Sequence, residues 1–135
     1  MTIRRETFYK SERLCSRKLI SGLFETGNRF YLPFYKVIWS ECDLQSPFPA
    51  QVAFMVPKKG FRHAVKRNLL KRRMREAYRK NKYLLYEFLG SENRKIVFLV
   101  IFRNDSVRDY WSVEKSIQEM ISRIKTEVRE KSKKC

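Results

Sequence analysis

The sequence is short of the residues that build metal centres, disulfide frameworks and acid–base pairs. It has three cysteines, Cys15, Cys42 and Cys135, and one histidine, His63. The cysteines are odd in number and far apart, and no Cys-x-x-Cys or Cys/His cluster occurs. This spacing argues against both a zinc site and a disulfide scaffold, and it fits a reducing compartment. No apolar run approaches the ~18 residues of a membrane span. The opening "MTIRRETFYK" is basic but lacks the apolar stretch of a secretory signal. The expectation is a soluble cytoplasmic chain with no membrane role. Acidic residues are also scarce. Asp105 and Asp109 fall in a segment that reads as a loop, where turn and capping roles suffice. His63 has no Ser, Cys or acidic partner beside it and reads as a cap or loop contact. With no paired carboxylates and no nucleophile–base set, no active site on the protein is expected.

What is abundant is positive charge. Lys and Arg number 31 against 14 Asp and Glu, for a formal net charge of +17. Such an excess speaks to partners rather than to fold. Nucleic acid is the first candidate and an anionic membrane surface the second. The same excess predicts a chain stabilised by anions, read as a melting temperature that rises with sulfate or phosphate at fixed ionic strength.

The 135 residues, 43% of them hydrophobic, suit one domain with one core over 1–135. Residues 1–12 and 130–135 read as loose basic ends. "SRKLISGLFETG" predicts a short helix capped by Ser16, with Leu19, Ile20, Leu23 and Phe24 on one face. Gly27 is expected in the left-handed position past its end. "FYLPFYKVIWSE", 30–41, favours a strand, with Pro33 at its start or on an edge. "QVAFMVPKK", 51–59, reads as a second strand. "RKIVFLVIFR", 94–103, reads as a third that is buried on both faces. A long helix is expected at about 62–84 and a last one at 112–129, with Val113, Ile117, Met120, Ile121, Ile124 and Val128 as its apolar stripe. The order is α-β-β-(β)-α-β-α, the extra strand hidden near the 42–50 loop. The class is α+β, a sandwich of helices against one small sheet.

The long helix carries the functional signal, in "KRNLLKRRMREAYRK", 66–80. At ~100° per residue, Leu69, Leu70, Met74 and Ala77 face a core. Arg67, Asn68, Lys71, Arg72, Arg75 and Arg79 occupy the opposite arc, and Glu76 alone dilutes them. Like charges one turn apart cost a few tenths of a kcal/mol per pair. Solvated helix faces mix signs to avoid this, and this face does not. Arginine forks grip phosphates bidentately, so a polyanion is the natural counterpart. Lys58, Lys59, Arg62, His63 and Lys66 extend the charge into the turn before the helix, where free backbone amides also favour a phosphate. Aromatics crowd the first helix and strand. Strand alternation puts Phe34, Lys36 and Ile38 on one face and Tyr35, Val37 and Trp39 on the other. One of these faces could stack unpaired bases.

At "AVKRNLLKRRMREAYR" the sequence resembles the protein subunit of bacterial ribonuclease P. The family signature is Arg-Asn-Arg continuing as Lys-Arg-x-x-Arg, at the start of a long helix. Here it reads Arg67, Asn68, Leu69, then Lys71, Arg72 and Arg75. "QVAFMVPKK" resembles the preceding strand with its lysine pair, Lys58 and Lys59. "LISGLFETG", "VFLVIFR" ending at Arg103, and "DYWSVEKSIQEMISRI" resemble further family segments, so the likeness spans about 13–125. Leu69 replaces the second arginine, and Ile20 stands where the family helix usually has an aromatic.

The resemblance implies a ribosomal S5 domain 2-like sandwich with a left-handed βαβ crossover. It implies the protein component of a ribonucleoprotein endonuclease that removes the 5′ leader from precursor tRNA. Catalysis and Mg²⁺ would then belong mainly to the RNA, and the protein would be a monomer bound 1:1 to ribonuclease P RNA. Lys58, Lys59, Arg62, Lys66, Arg67, Asn68, Lys71, Arg72, Arg75, Arg79 and Arg103 would bind RNA. Ile20, Phe24, Phe34 and Lys36 would line a cleft for the single-stranded leader.

Three rival readings share parts of this pattern. A non-enzymatic RNA-binding or ribosome-associated protein has the same charge and aromatics, but it binds without stimulating cleavage. A protein-only nuclease needs acidic metal ligands or a histidine-based acid–base pair. A membrane-surface protein needs Trp or Phe on the apolar face of the basic helix, and that face has neither.

Overall fold

The computed structural model describes residues 7–44, 46–59, 63–103 and 108–132. A 3₁₀ turn, Lys10–Glu12, precedes α1 (Arg17–Thr26), β1 (Asn28–Tyr31), β2 (Tyr35–Glu41), β3 (Ala50–Met55), α2 (Ala64–Ser91), β4 (Ile96–Phe102) and α3 (Tyr110–Ser132). The four strands form one sheet in the order β1-β2-β4-β3. β1–β2 and β2–β4 pair antiparallel, while β3 runs parallel to β4.

The expected single strand over 30–41 is two strands. Leu32 and Tyr35 exchange backbone hydrogen bonds at 2.8 and 3.3 Å, closing a hairpin over Pro33 and Phe34. Pro33 has no N–H for a ladder and fixes its own φ, which suits a turn better than a strand start. The extra strand is therefore β1, before the turn. Residues 42–44 and 46–49 form no strand before β3 begins, and Leu44 is buried.

The sheet is covered on both faces, so the helices do not share one side. The larger core packs Val37, Trp39, Val52, Phe54 and Phe98 against Leu70, Met74, Tyr78 and Leu85 of α2. The α3 stripe joins them as expected, from Val113 to Val128. A smaller core sets Leu23 of α1 on Ile38, Val97 and Leu99, with Leu14 and Leu44 at its margin. β4 lies between the two layers and is buried on both sides, as its unbroken apolar run implies.

Ser16 caps α1, its hydroxyl accepting the Leu19 N–H at 3.2 Å. Gly27 is not left-handed: its φ is −66°. Glycine is required there by close approach instead. A Cβ would sit 2.5 Å from Ile38 Cγ2 and 2.6 Å from the Leu23 carbonyl oxygen. Gly27→Ala is expected to cost about 1–3 kcal/mol through overpacking, measured as a lower urea midpoint with unchanged slope.

α2 runs seven residues past its expected end because Asn81, Lys82, Leu85 and Leu89 continue the buried face. It stops at Asn93, whose φ of 52° is left-handed, a conformation asparagine tolerates. The expectation of a loose end over 1–12 fails from Thr7 onward. Phe8 packs edge-on against Tyr78 at 5.7 Å, and Tyr9 stacks on Phe48 at 5.5 Å. Glu12 is fully buried and pairs with Lys82 at 2.6 Å. At the other end, α3 remains helical to Ser132.

Candidate nucleic-acid interface

The core-facing residues of α2 determine what its outer face presents. Leu70, Met74 and Ala77 are fully buried, and Leu69 is half-buried at the boundary. Burying that stripe turns Lys66, Asn68, Arg72 and Arg75 into solvent. Arg67, Lys71 and Arg79 are half-buried at the flanks.

The face is less uniform than the sequence implies. Arg79 donates to both Glu76 carboxylate oxygens, at 3.2 Å from Nε and 2.5 Å from Nη2. This holds the Glu76 carboxyl below its usual range and partly neutralises Arg79. Arg73 turns away to donate to the Arg108 carbonyl. Lys58 and Lys59 are exposed in the turn after β3, and Arg62 lies outside the described residues. His63 occupies the N-cap position of α2 without a side-chain capping bond. Of the two loop aspartates, Asp109 accepts the Ser112 N–H at 3.1 Å. Its bonds to Ser112 hold the carboxyl below the ordinary range, as an acceptor at the start of α3 should be. Asp105 lies outside the described residues.

A second surface lies on the α1 side of the sheet. Paired strand residues share a face, so Tyr31, Lys36, Ile101 and Met55 form one row across all four strands. α1 covers the adjacent row through Ile38 and Leu99 and leaves this row open. Tyr31 is 55% exposed, Met55 40% and Phe24 40%. The Lys36 ammonium lies 5.9 Å from the Tyr31 ring and the Arg103 guanidinium 4.8 Å from it. Arg103 is steadied by donating to the Leu32 carbonyl at 3.2 Å. The row is a flat, partly apolar floor flanked by two cations, the combination that holds unpaired bases and their phosphates.

The structure thus brings Lys36 and Arg103 to one surface around Tyr31, while Phe24 is exposed on α1 and Ile20 packs half-buried into the small core. It does not bring Phe34 to that surface. Phe34 sits in the hairpin turn, so strand alternation does not reach it. It packs on the larger core with the Arg108 guanidinium 4.1 Å above its ring. Tyr31 takes the place given to Phe34. Its only signal was parity with Lys36, and that parity appears once the hairpin is known.

α2 starts from the end of the sheet where this row lies. β3 and β4 are parallel, so Met55 and Ile101 end at the same edge. The chain passes from Met55 through Lys58 and Lys59 into the first turn of α2. Among the described residues, no three His, Cys, Asp or Glu side chains converge as a metal-ligand set. The strongly shifted groups are the tyrosines Tyr35, Tyr78 and Tyr86, whose phenols burial pushes up. No described helix is long and apolar enough to cross a membrane.

The ribonuclease P family profile matches residues 8–125. The chain belongs to the ribonuclease P protein family. A ribonuclease P protein component of Porphyromonas gingivalis is 37% identical over 117 residues, covering 85% of this chain and 84% of that one. Another, of Chlorobium phaeobacteroides, is 44% identical over 80 residues, covering 57% and 55%. The solved ribonuclease P protein of Thermotoga maritima superimposes with a TM-score of 0.67 at 23% identity, over 83% of this chain and 96% of that one. That of Staphylococcus aureus gives 0.65 at 20% identity, over 85% and 95%. Both structural likenesses concern the fold. The α+β fold expected from the resemblance is therefore the fold of the ribonuclease P proteins. Within the family signature, Arg67 and Asn68 precede a boundary position, so Leu69 adds packing where the motif has a further cation.

Proposed function

We propose that this ribonuclease P protein acts as the cytoplasmic protein subunit of a ribonucleoprotein that cuts the 5′ leader from precursor tRNA. The outer face of α2 binds ribonuclease P RNA through Lys66, Arg67, Asn68, Lys71, Arg72 and Arg75. The sheet row holds the single-stranded leader on Tyr31, between Lys36, Arg103 and Phe24. The supporting observation is that a predominantly basic helix face and an open aromatic row lie toward one end of the domain. A catalytic RNA and the leader entering its active site can then be held together by one monomer, in a 1:1 complex.

Hydrolysis is done by the RNA with Mg²⁺. RNA phosphates would hold that ion, as hard oxygen ligands suited to it. The protein lends positive potential around the site and extra contacts to the substrate, raising affinity for precursor over mature tRNA.

The test is cleavage of a precursor tRNA at low Mg²⁺ by protein alone, RNA alone and both together. Cleavage is expected from the pair well above RNA alone, and none from protein alone. Cleavage by the protein alone would sink the assignment of chemistry to RNA. Binding without acceleration would favour a plain RNA-binding module. In the same assay Tyr31→Ala should weaken binding of leader-bearing tRNA by about 1–3 kcal/mol, the usual range for loss of one stacked base. Mature tRNA should bind unchanged.

A further inference from the structure

The N-terminal segment and α2 enclose an open cavity of 380 Å³, away from the aromatic row. Arg72, Arg75, Glu76 and Arg79 wall it from α2, and Phe8 and Arg13 wall it from the segment. Among the described residues, four guanidinium groups therefore share one concavity with a single carboxylate. Glu76 is committed locally, bonded twice by Arg79 and lying 3.9 Å from the Lys80 ammonium. Among the described residues no carboxylate is paired with Arg13, Arg72 or Arg75.

The segment that carries Arg13 is fixed on both sides of it. Glu12, its neighbour, is fully buried and bonded by Lys82 at 2.6 Å and by the Tyr86 hydroxyl at 2.5 Å. On the other side, the Leu14 N–H donates to the Val52 carbonyl at 2.9 Å. Phe8, packed on Tyr78, supplies the apolar wall, and the Arg13 guanidinium lies 5.3 Å from its ring centre. Folding thus holds three guanidinium groups, none paired with a carboxylate among the described residues, around one space against their mutual repulsion. Arginine forks converging from two directions match the oxygens of a phosphate, and a concave site focuses the potential that draws it in.

We infer that this cavity binds a phosphate group of the ribonuclease P RNA backbone, held between Arg13 of the N-terminal segment and Arg72 and Arg75 of α2. Arg13 is then an RNA-binding residue in its own right. The Glu12–Lys82 pair is the positioning device that keeps it opposite the helix. The inference rests on the proposed function, because it takes the outer face of α2 to meet that RNA.

The experiment measures affinity for ribonuclease P RNA against salt concentration for the wild type, Arg13→Gln, Arg13→Lys and Lys71→Ala. Inorganic phosphate is titrated into each free protein at fixed ionic strength. Arg13→Gln keeps the stem over Phe8 and should melt within a few degrees of wild type. Its RNA affinity should fall about tenfold and its salt slope by about one, as for loss of one phosphate contact. Its phosphate binding should be lost. Arg13→Lys, which keeps the charge but not the fork, should recover part of both. If Lys71→Ala weakens RNA binding and Arg13→Gln does not, the cavity assignment is wrong while the proposed function stands. If neither weakens it, the RNA face on α2 fails first. Phosphate binding lost in Arg13→Gln with RNA affinity intact would make this a site for free phosphate, overturning the RNA assignment.

Discussion

Replacing Arg72 and Arg75 together by alanine is expected to weaken ribonuclease P RNA binding by roughly 100-fold. Each side chain is exposed on the outer face of α2, and a charge-assisted hydrogen bond contributes about 1.5–3 kcal/mol. Two lost phosphate contacts should also flatten the salt dependence, reducing the slope by about 1.4–1.8. The fold should not suffer. Alanine is at least as good a helix former as arginine, and removing two like charges relieves repulsion one turn apart. The melting temperature of the free protein should therefore hold or rise while RNA affinity falls. Lys115→Ala, an exposed change on α3, is the control for net charge alone and should shift affinity only slightly. Filter binding across a salt series measures both quantities. An unchanged slope would show that these arginines do not meet phosphates.

Lys82→Met is expected to give the largest loss of stability. Lys82 and Glu12 are 3% and 0% exposed, 2.6 Å apart. The Tyr86 hydroxyl and the Tyr9 N–H complete the carboxylate's shell, at 2.5 and 2.7 Å. Removing the ammonium leaves a buried carboxylate without its counter-charge, at a cost of about 3–5 kcal/mol. For a domain of this size that corresponds to roughly 10–20 °C in melting temperature. Adding Glu12→Gln to Lys82→Met should recover much of the loss, because the second change removes the stranded charge. A double-mutant cycle by urea unfolding isolates the pair's coupling. If Lys82→Met costs less than about 1 kcal/mol, the N-terminal segment is not held in place by this pair.

Much of this was legible from residue order. The inward face of α2 follows from Leu70, Met74 and Ala77, because helical period alone separates apolar from basic positions. The α3 stripe and the two-sided burial of β4 follow from the same kind of local pattern. Three features were not legible. Pro33 marks a hairpin turn within an otherwise continuous strand signal, so local patterning places the extra strand after β2 and not before it. Extending the strand back to Phe34 puts that residue in the cleft in place of Tyr31, because side-chain alternation does not hold through a turn. Gly27 is needed for a contact with Ile38 across the interface between α1 and the sheet, which local turn rules cannot reveal.

The sequence by itself determined the excess of positive charge, the basic face of α2 and the family. Each rests on charge sign and spacing within one continuous stretch, which survive any packing. Only the tertiary structure decided which side chains share a surface. It put Arg103 beside Tyr31, a row of four strands into one cleft floor, and Arg13 across from Arg72 and Arg75. Those groupings join residues tens of positions apart, and they exist because burial of the two cores sets strand register and fixes where the N-terminal segment must lie.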